Sequence, residues 1–366
     1  MGVIRTLLAI CVILGHTGPL WGIRFLNGSI AVETFFIISG FYMTLILSSR
    51  YVGKNSYKLF ITNRFLRIYP IYWGILAMAI FVSAVSGLLT RHWFFLEPYI
   101  QWHNNMRLST FSFINISNWI IFGQDVVLFL GLNVNNGVLF FTENFRNTYP
   151  QFYTFLIIPQ AWTLSIELVF YLIAPLIVRR NIRLILWLIL ASLLLRAYIY
   201  FGLGWTNDPW TYRFFPTEII FFLLGNISYR VYSFIKDDQK YRKFSLYLMA
   251  LFLLVLLFYQ HIEALRWFKL LLYYSFAVFS LPFIFNLTKN SKKDRKIGDL
   301  SYPIYLVHGF IIAFSTPIIR WLGLNSFKTP ILIILSILAA FILLKIIADP
   351  IEKFRQARWS KAIPST

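Results

Sequence analysis

The sequence predicts an all-α integral membrane protein, a polytopic bundle of about ten transmembrane helices. Of its 366 residues, 58% are hydrophobic and only 13% are charged, whereas a typical soluble domain is about 25% charged. Apolar stretches of roughly 18 residues or more recur along the whole chain, and each is long enough to cross the hydrocarbon core as a helix. One helical membrane domain follows, with no soluble module large enough to fold beside it.

Ten apolar segments account for the crossings, and the polar stretches between them give the boundaries. The stretch 91–158 is rich in Asn, and its apolar pieces around 119–131 are too short or too interrupted to span the bilayer. We expect an outer-face excursion there, a membrane domain over 1–350, and a short basic cytoplasmic tail over 351–366. The predicted spans are 3–21, 30–49, 70–90, 159–178, 183–202, 213–233, 244–261, 266–287, 300–319 and 329–348.

The distribution of Lys and Arg predicts that both termini are cytoplasmic. Most of the 34 basic residues, Lys54 among them, lie on the same side as the N-terminus, as the positive-inside rule requires. The formal charge of +20 would suit nucleic acid, but short basic runs between apolar segments make no basic groove. We therefore expect membrane lipids as neighbours and no nucleic-acid partner. Cys11 is the single cysteine and the histidines show no H-x-x-x-H spacing, so neither a disulfide within the chain nor a metal site is predicted.

The first segment carries two ionisable residues, Arg5 and His16, which are costly inside a bilayer. On a helix, residues eleven positions apart point within about 20° of each other and lie about 16 Å apart along the axis. Arg5 at the cytoplasmic mouth of a groove and His16 deeper within it would suit an anionic substrate and a base that works near neutral pH. The alternative is a topology anchor and a packing histidine. A signal peptide is a rival interpretation of this start, but no A-x-A-like cleavage site follows.

The second and third segments add candidate residues at both faces. Glu33 lies near the outer start of the second segment, where its carboxylate either pairs with His16 and orients it or simply remains hydrated. Ser39 is a weak candidate nucleophile because no G-x-S-x-G context surrounds it. Arg64 and Arg67 lie three residues apart just before the third segment, so they share one face at the inner surface. Two guanidinium groups there would clamp a phosphate, although topology anchoring explains them about as well.

The later segments carry four more candidate residues. Glu167 lies near the outer half of the fourth segment, where topology needs no carboxylate, so we expect it in the site. Arg196 and Glu218 either form an internal ion pair or line a cavity. His308 is mid-membrane in the ninth segment, where contacts between helices are at least as good an explanation as chemistry.

In chain order, these residues resemble the pattern of the acyltransferase-3 family of membrane acyltransferases, which includes polysaccharide and lipopolysaccharide O-acetyltransferases. No single piece is specific, but all of them occur in the matching order between residue 5 and about residue 350. The matching pieces are Arg5 with His16, Phe35-Phe36-x-x-Ser39-Gly40-Phe41 after an acid, Arg64-x-x-Arg67-x-Tyr69-Pro70, Trp162 with Glu167-x-x-Phe170-Tyr171, and Ser301-Tyr302-Pro303-x-Tyr305 with His308.

The resemblance implies transfer of an acyl group, commonly acetyl, from cytoplasmic acyl-CoA to a hydroxyl of a cell-surface or exported glycan or glycolipid. Acyl-CoA, in particular acetyl-CoA, is then the co-substrate, and the chain is a multi-pass protein of the bacterial inner (cytoplasmic) membrane. Many members carry an extra esterase-like domain; we expect this chain, which stops at Thr366, to lack it, so that any partner for that step is a separate periplasmic protein. By position, the implied roles are donor binding for Arg5, Arg64 and Arg67, catalysis for His16 as base with Glu33 and Glu167 in support, and pocket positions for Ser39, Tyr171, Tyr302 and His308.

Two other functions remain open at this point. A transporter or flippase for a glycolipid or small polyol would use the same charged groove without bond making, although no internal repeat is visible. A structural membrane protein would tolerate neutral residues at Arg5 and His16. The acceptor contacts are expected in the excursion 91–158, where Trp93, Trp102 and Trp119 either stack on sugar rings or anchor the interface.

Overall fold

The computed structural model is helical apart from one short β-hairpin, and it describes residues 1–53, 56–236 and 238–362. Lys54 and residues 363–366 of the predicted tail lie outside the described residues. The first part of the chain forms α1 (Gly2–Thr17), α2 (Gly28–Ser49), α3 (Ser56–Thr90), α4 (Glu97–Trp102), α5 (Leu108–Ile120), β1 (Leu130–Asn133) and β2 (Val138–Phe141). The second part forms α6 (Trp162–Ile177), α7 (Ile182–Ala197), α8 (Phe215–Ile235), α9 (Arg242–Phe258), α10 (Arg266–Thr288), α11 (Lys292–Asp299), α12 (Ser301–Trp321), α13 (Lys328–Leu343) and α14 (Asp349–Ala362).

The all-α polytopic bundle is confirmed. Within the described part of the chain, nine helices are long and apolar enough to cross a membrane, and α1 is a shorter apolar helix of 16 residues. Together they occupy the ten predicted segments. The first span was predicted to reach residue 21, but α1 ends at Thr17 because Gly18 adopts φ +100° and Pro19 follows. Glycine tolerates that backbone conformation, and proline cannot continue the helical hydrogen bonding.

The third helix begins 14 residues earlier than predicted. Pro70 is typical of a helix start, which is why the sequence placed the boundary there. In the structure, α3 instead runs through Pro70 as one helix of 35 residues from Ser56 to Thr90. The prediction that Arg64 and Arg67 precede the third helix is therefore wrong, since both lie on α3 itself, where Arg64 is buried and Arg67 is exposed.

Backbone contact between α2 and α8 forms the centre of the bundle. A Cβ on Gly40 would lie 2.0 Å from the Phe222 carbonyl oxygen, and a Cβ on Gly225 would lie 2.1 Å from the Ile37 carbonyl oxygen. Only glycine permits helices to approach this closely, which is a common way to pack membrane helices. The approach fixes α2 against α8 and leaves another face of α2 directed toward α1, α6 and α12.

The excursion 91–158 is a folded cap that is tied to the bundle. Three α3 side chains donate hydrogen bonds to carbonyls at the end of α5: Tyr69 to Ile120 at 2.5 Å, Tyr72 to Asn118 at 2.5 Å, and Trp73 to Trp119 at 2.9 Å. The hairpin pairs β1 with β2 in antiparallel register. A small separate core holds these pieces together; it contains Ile114, Val127, Leu132, Phe152, Phe155 and Leu156.

A buried carboxyl links the same cap to α6. Asp125 accepts a hydrogen bond from the Ser165 hydroxyl at 2.5 Å. Burial raises the pKa of the Asp125 carboxyl, and the Ser165 hydrogen bond opposes that shift. The cap and the bundle are therefore joined by specific polar contacts as well as by packing.

The end of the chain returns to the inner ends of the helices. After α13, one π-helical turn, Leu344–Ala348, leads into α14. Arg358 of α14 donates to the Thr62 hydroxyl of α3 at 3.3 Å. The part of the predicted cytoplasmic tail that the structure describes is therefore a helix packed on α3.

Candidate active site

A cavity of about 1000 Å³ occupies the inner half of the bundle. It extends from the inner ends of the helices, where Ser49 and Arg295 line it, to Val32, Phe35 and Thr163. Its walls come from α1, α2, α3, α6, α10, α11, α12 and α14. The cavity therefore reaches into the bundle from the side predicted to be cytoplasmic.

The structure brings together the three predicted donor-binding arginines on the wall of this cavity. Arg5 lies in the second turn of α1, and Arg64 and Arg67 are one turn apart on α3. Arg64 is 7% exposed, lies against the rings of Phe60 and Tyr171 at 5.7 and 5.9 Å, and has a buried Nε without a hydrogen-bond partner. Among the residues that the structure describes, no carboxylate lies within 4.0 Å of these guanidinium groups. A buried cation without a counter-ion is costly, so the site is suited to an anionic ligand.

Deeper in the cavity, Glu167 is held by two hydroxyl donors. Ser39 donates to Glu167 Oε1 at 2.5 Å, and Tyr171 donates to the same oxygen. Tyr302 lines the same region, and its hydroxyl donates to the Ile68 carbonyl at 2.7 Å. Ser39, Glu167, Tyr171 and Tyr302 therefore line one cavity, whereas His308, the fourth predicted pocket position, is not part of its lining.

His16 and His308 form a stacked pair beyond the deep end of the cavity. Their ring centroids are 5.4 Å apart, with 29° between the ring planes. His308 is buried, and its Nδ1 lies 2.5 Å from the Tyr305 carbonyl oxygen. Because a carbonyl only accepts, Nδ1 is the donor of this hydrogen bond. His16 is exposed at the last turn of α1.

Arg5 and His16 therefore do not line one continuous groove. Arg5 lines the inner cavity, whereas His16 lies outside its lining and past its closed end. Tyr305 closes that end: its hydroxyl is 2.9 Å from the Thr163 hydroxyl, which donates to it, and its ring is 5.8 Å from that of His308. One layer of side chains, Tyr305 with His308, separates the inner cavity from His16.

Glu33 lies with other helices rather than with His16. The Tyr274 hydroxyl of α10 donates to its carboxylate, and Arg196 pairs with Glu218 nearby at 2.7 Å. The side chain is on the face of α2 that meets α8 and α10, so it lines no part of the inner cavity. Glu33 therefore belongs to this buried polar group and does not pair with His16. Of the two alternatives for Arg196 and Glu218, the structure shows the internal ion pair.

A second, smaller cavity of about 390 Å³ lies between the β-hairpin and the loop after α7. Its lining combines an indole, amides and a carboxylate from Phe141, Thr142, Glu143, Asn144, Asn147, Gly204, Trp205 and Asn207. Trp205 could not be predicted at this site, because only folding brings the loop after α7 against the excursion. Of the three predicted tryptophans, Trp93 fills the space at Gly87 and Trp102 packs on Tyr149, while Trp119 is exposed.

Three charged residues connect this outer cavity with the region of His16. Asp208 follows the lining residue Asn207, and it accepts from Arg146 at 2.9 Å and from Arg213 at 2.6 Å. The Arg213 guanidinium lies 4.4 Å from the ring centre of Trp162, at the start of α6. Its charge also acts on His16. Asp208 and Arg213 therefore link the outer cavity to the start of α6.

Comparison with known proteins gives a consistent family match. The acyltransferase-3 family model, described as an acyltransferase domain, matches residues 1–348. Curated relatives from Staphylococcus aureus strains COL, MSSA476 and N315 are each named "Putative O-acetyltransferase". Each is 25% identical to the chain over 338 residues, covering 85% of this chain and 50% of the relative. The chain thus spans about half the length of these curated relatives. No solved structure matches it.

Proposed function

This chain belongs to the acyltransferase-3 family, and from that premise we propose that it is a membrane acyltransferase with the following substrates and mechanism. It moves an acetyl group from cytoplasmic acyl-CoA to a hydroxyl of a cell-surface or exported glycan. It acts in the inner (cytoplasmic) membrane, with the open end of the large cavity toward the cytoplasm, which is the side that the basic residues favour. The observation that carries the proposal is the inner cavity lined by Arg5, Arg64 and Arg67 without paired carboxylates.

Acyl-CoA suits this cavity because it has a polyanionic head and a thin pantetheine arm. The arginines would bind phosphate oxygens at the wide end, where planar guanidinium groups form charge-assisted, paired hydrogen bonds. The arm would then run past Ser39 and Tyr302 toward Thr163 and Tyr305. The thioester would thereby lie beneath the layer that separates the cavity from His16.

In the proposed reaction, His16 acts as the general base. It takes the proton of the acceptor hydroxyl, whose oxygen attacks the thioester carbonyl carbon as the carbon–sulfur bond breaks. The thiolate of CoA leaves and takes up the proton held by His16, so that the enzyme returns to its starting state. Tyr305 must shift for the thioester to reach His16, because its ring closes the cavity. The second mechanism is an acyl-histidine intermediate formed on His16 and then passed to the acceptor.

The glycan would reach His16 from the outer face. His16 is exposed there, and the cavity lined by Trp205, Asn147 and Asn207 lies on the same side. Sugars present hydroxyl groups to amides and carboxylates, and apolar ring faces to aromatic side chains. We propose this outer cavity as the place that binds a sugar unit of the acceptor.

Mass spectrometry of cell-surface glycans from cells with and without the gene tests the proposed function. We expect glycans from the wild-type cells to carry acetyl groups that are absent when the gene is deleted and that return with a plasmid copy. A plasmid copy encoding His16→Ala should not restore them. Identical glycan masses in the presence and absence of the gene would contradict the proposal.

A further inference from the structure

We propose that α14 completes the donor site and that Arg355 provides a fourth guanidinium for the phosphates of acyl-CoA. The inference rests on the proposed function and adds a binding residue from the last helix, which the sequence indicated only as part of a basic tail. It follows from the position of α14, the surroundings of Arg355 and the charges that face it.

One face of α14 and of the turn before it forms a wall of the inner cavity. The residues that line the cavity there are Asp349, Ile351, Glu352, Arg355 and Gln356. Glu352, Arg355 and Gln356 are three and four positions apart, which places them on one side of a helix. Lys353, one position after Glu352, is exposed and is not part of the lining. The Arg358 contact with Thr62 holds α14 against α3 in this orientation.

Arg355 is more buried than an arginine that only anchors a helix at the surface. Its side chain is only 14% exposed, and its Nε is buried without a hydrogen-bond partner. Arg64, across the same cavity wall, also has a buried Nε without a partner. Unpaired buried donors are rare in folded proteins because each loses its hydration without compensation. Two of them beside one cavity indicate that a ligand supplies the missing acceptors.

Like charges surround Arg355. The charges of Arg64 and Arg67 act on it unfavourably, and its carboxylate partner is Glu352. Glu352 is 47% exposed and also accepts from Gln356 at 3.1 Å. Glu352 beside Arg355, Asp299 near Arg67 and Glu167 near Arg64 offset part of this positive charge, although none of these carboxylates is within 4.0 Å of Arg64 or Arg67. The several phosphate charges of acyl-CoA would offset the rest. The arrangement therefore suits a bound polyanion better than a purely structural ion pair.

Titration of acetyl-CoA into the purified full-length chain in lipid nanodiscs tests this inference. We expect Arg355→Gln to weaken acetyl-CoA binding by about tenfold, the effect of losing a charge-assisted hydrogen bond. Lys353→Gln is the matched control, because it removes a positive charge from the same helix outside the cavity; its dissociation constant should stay within about twofold of wild type. Thermal unfolding of each variant checks that the helix remains packed.

A second ligand separates a phosphate contact from a general effect on the cavity. Acetyl-pantetheine has the same thioester arm but lacks the nucleotide, so Arg355→Gln should leave its binding unchanged. Unchanged acetyl-CoA binding in Arg355→Gln, or an equal loss for both ligands, would overturn the role of Arg355 while leaving the proposed function intact. A wild-type chain that binds no acetyl-CoA would overturn the proposed function and this inference together.

Discussion

At the residue scale, the inner cavity is defined by arginines whose charges the protein leaves unpaired. Arg64 is the most buried of them and is enclosed by the Phe60 and Tyr171 rings. A protein that needed only a topology anchor would leave such a residue at the surface, where hydration is free. The cost of burying Arg64 is explained if a phosphate occupies the cavity during the reaction.

Replacing Arg64 should therefore weaken donor binding. We expect Arg64→Gln to raise the KM for acetyl-CoA by about tenfold or more, because one guanidinium contact to the phosphates is lost. The Arg64→Lys variant should have an intermediate KM for acetyl-CoA, since an ammonium cannot bind a phosphate in the paired geometry. Arg183→Gln is the control, because Arg183 is exposed at the inner start of α7 and does not line the cavity. An equal KM for Arg64→Gln and Arg183→Gln would refute the assignment.

Replacing His16 should separate binding from chemistry. His16 lies outside the donor cavity, so His16→Ala should bind acetyl-CoA as the wild type does while losing transfer by about 100-fold or more. His261→Ala, at another exposed histidine, should keep full activity. Radiolabelled acetyl-CoA without acceptor then distinguishes the two mechanisms, because only an acyl-histidine route leaves label on the wild-type chain. Weak acetyl-CoA binding by His16→Ala would show that the histidine reaches into the donor site.

The sequence identified most residues of the candidate site, but not their grouping. Ser39, Arg64 and Glu167 line one cavity, although the sequence placed Arg64 at the inner surface and Glu167 near the outer half of its helix. Each was identified because an unpaired polar group in an apolar helix is unfavourable and has to face something polar. Burying the Glu33 carboxyl group is equally unfavourable, yet Glu33 faces Tyr274 and not this cavity. Helical spacing gives the face of a residue on its own helix, but which neighbour covers that face is decided by packing between distant segments.

At the element scale, the close approach of α2 and α8 sets the position of the site. Ser39 is next to Gly40, so the contact between Gly40 and the Phe222 carbonyl also fixes the distance from Ser39 to Glu167 of α6. The bundle was predictable as a set of apolar segments. The continuous α3 was not, because Pro70 signals a helix start locally and only the surrounding bundle stabilises a helix through it.

A methyl group at Gly40 should destabilise the bundle. The added Cβ of Gly40→Ala would lie 2.0 Å from a backbone oxygen, so α2 and α8 must separate. We expect a loss of about 1–3 kcal/mol in the free energy of unfolding, seen as a lower melting temperature in detergent. Gly28→Ala is the control, since its Cβ would lie 3.7 Å from Val12 at ordinary contact distance. Equal melting temperatures for the two variants would rule out this packing.

At the scale of the whole molecule, one cavity of the described residues lies at the inner ends of the helices and another lies in the outer excursion. The inner cavity is lined by several arginines, and the outer one combines aromatic and amide side chains. Tyr305 and His308 lie between the inner cavity and the exposed His16. In the proposed function, the membrane separates the donor from the acceptor, and the chain brings them together across one layer of side chains.

The outer cavity should contribute to acceptor binding alone. We expect Trp205→Ala to raise the KM for the glycan acceptor by about tenfold through loss of an aromatic contact, with the KM for acetyl-CoA unchanged. Trp321→Ala, at an exposed tryptophan at the end of α12, should change neither value. A shift in the acetyl-CoA KM instead would mean that Trp205 acts on the bundle rather than on the acceptor.

The central claim is acetyl transfer from acetyl-CoA on the inner side of the membrane to a glycan on the other. The most direct measurement uses the purified chain in sealed proteoliposomes, with ¹⁴C-acetyl-CoA on one side and glycan acceptor on the other. With acetyl-CoA at the face that carries Arg64, we predict equal amounts of free CoA thiol and labelled glycan, and neither product from Arg64→Gln or His16→Ala at low donor concentration. The account would be contradicted if labelled glycan formed when acetyl-CoA was supplied only at the opposite face. It would also be contradicted if no surface glycan caused release of free CoA thiol.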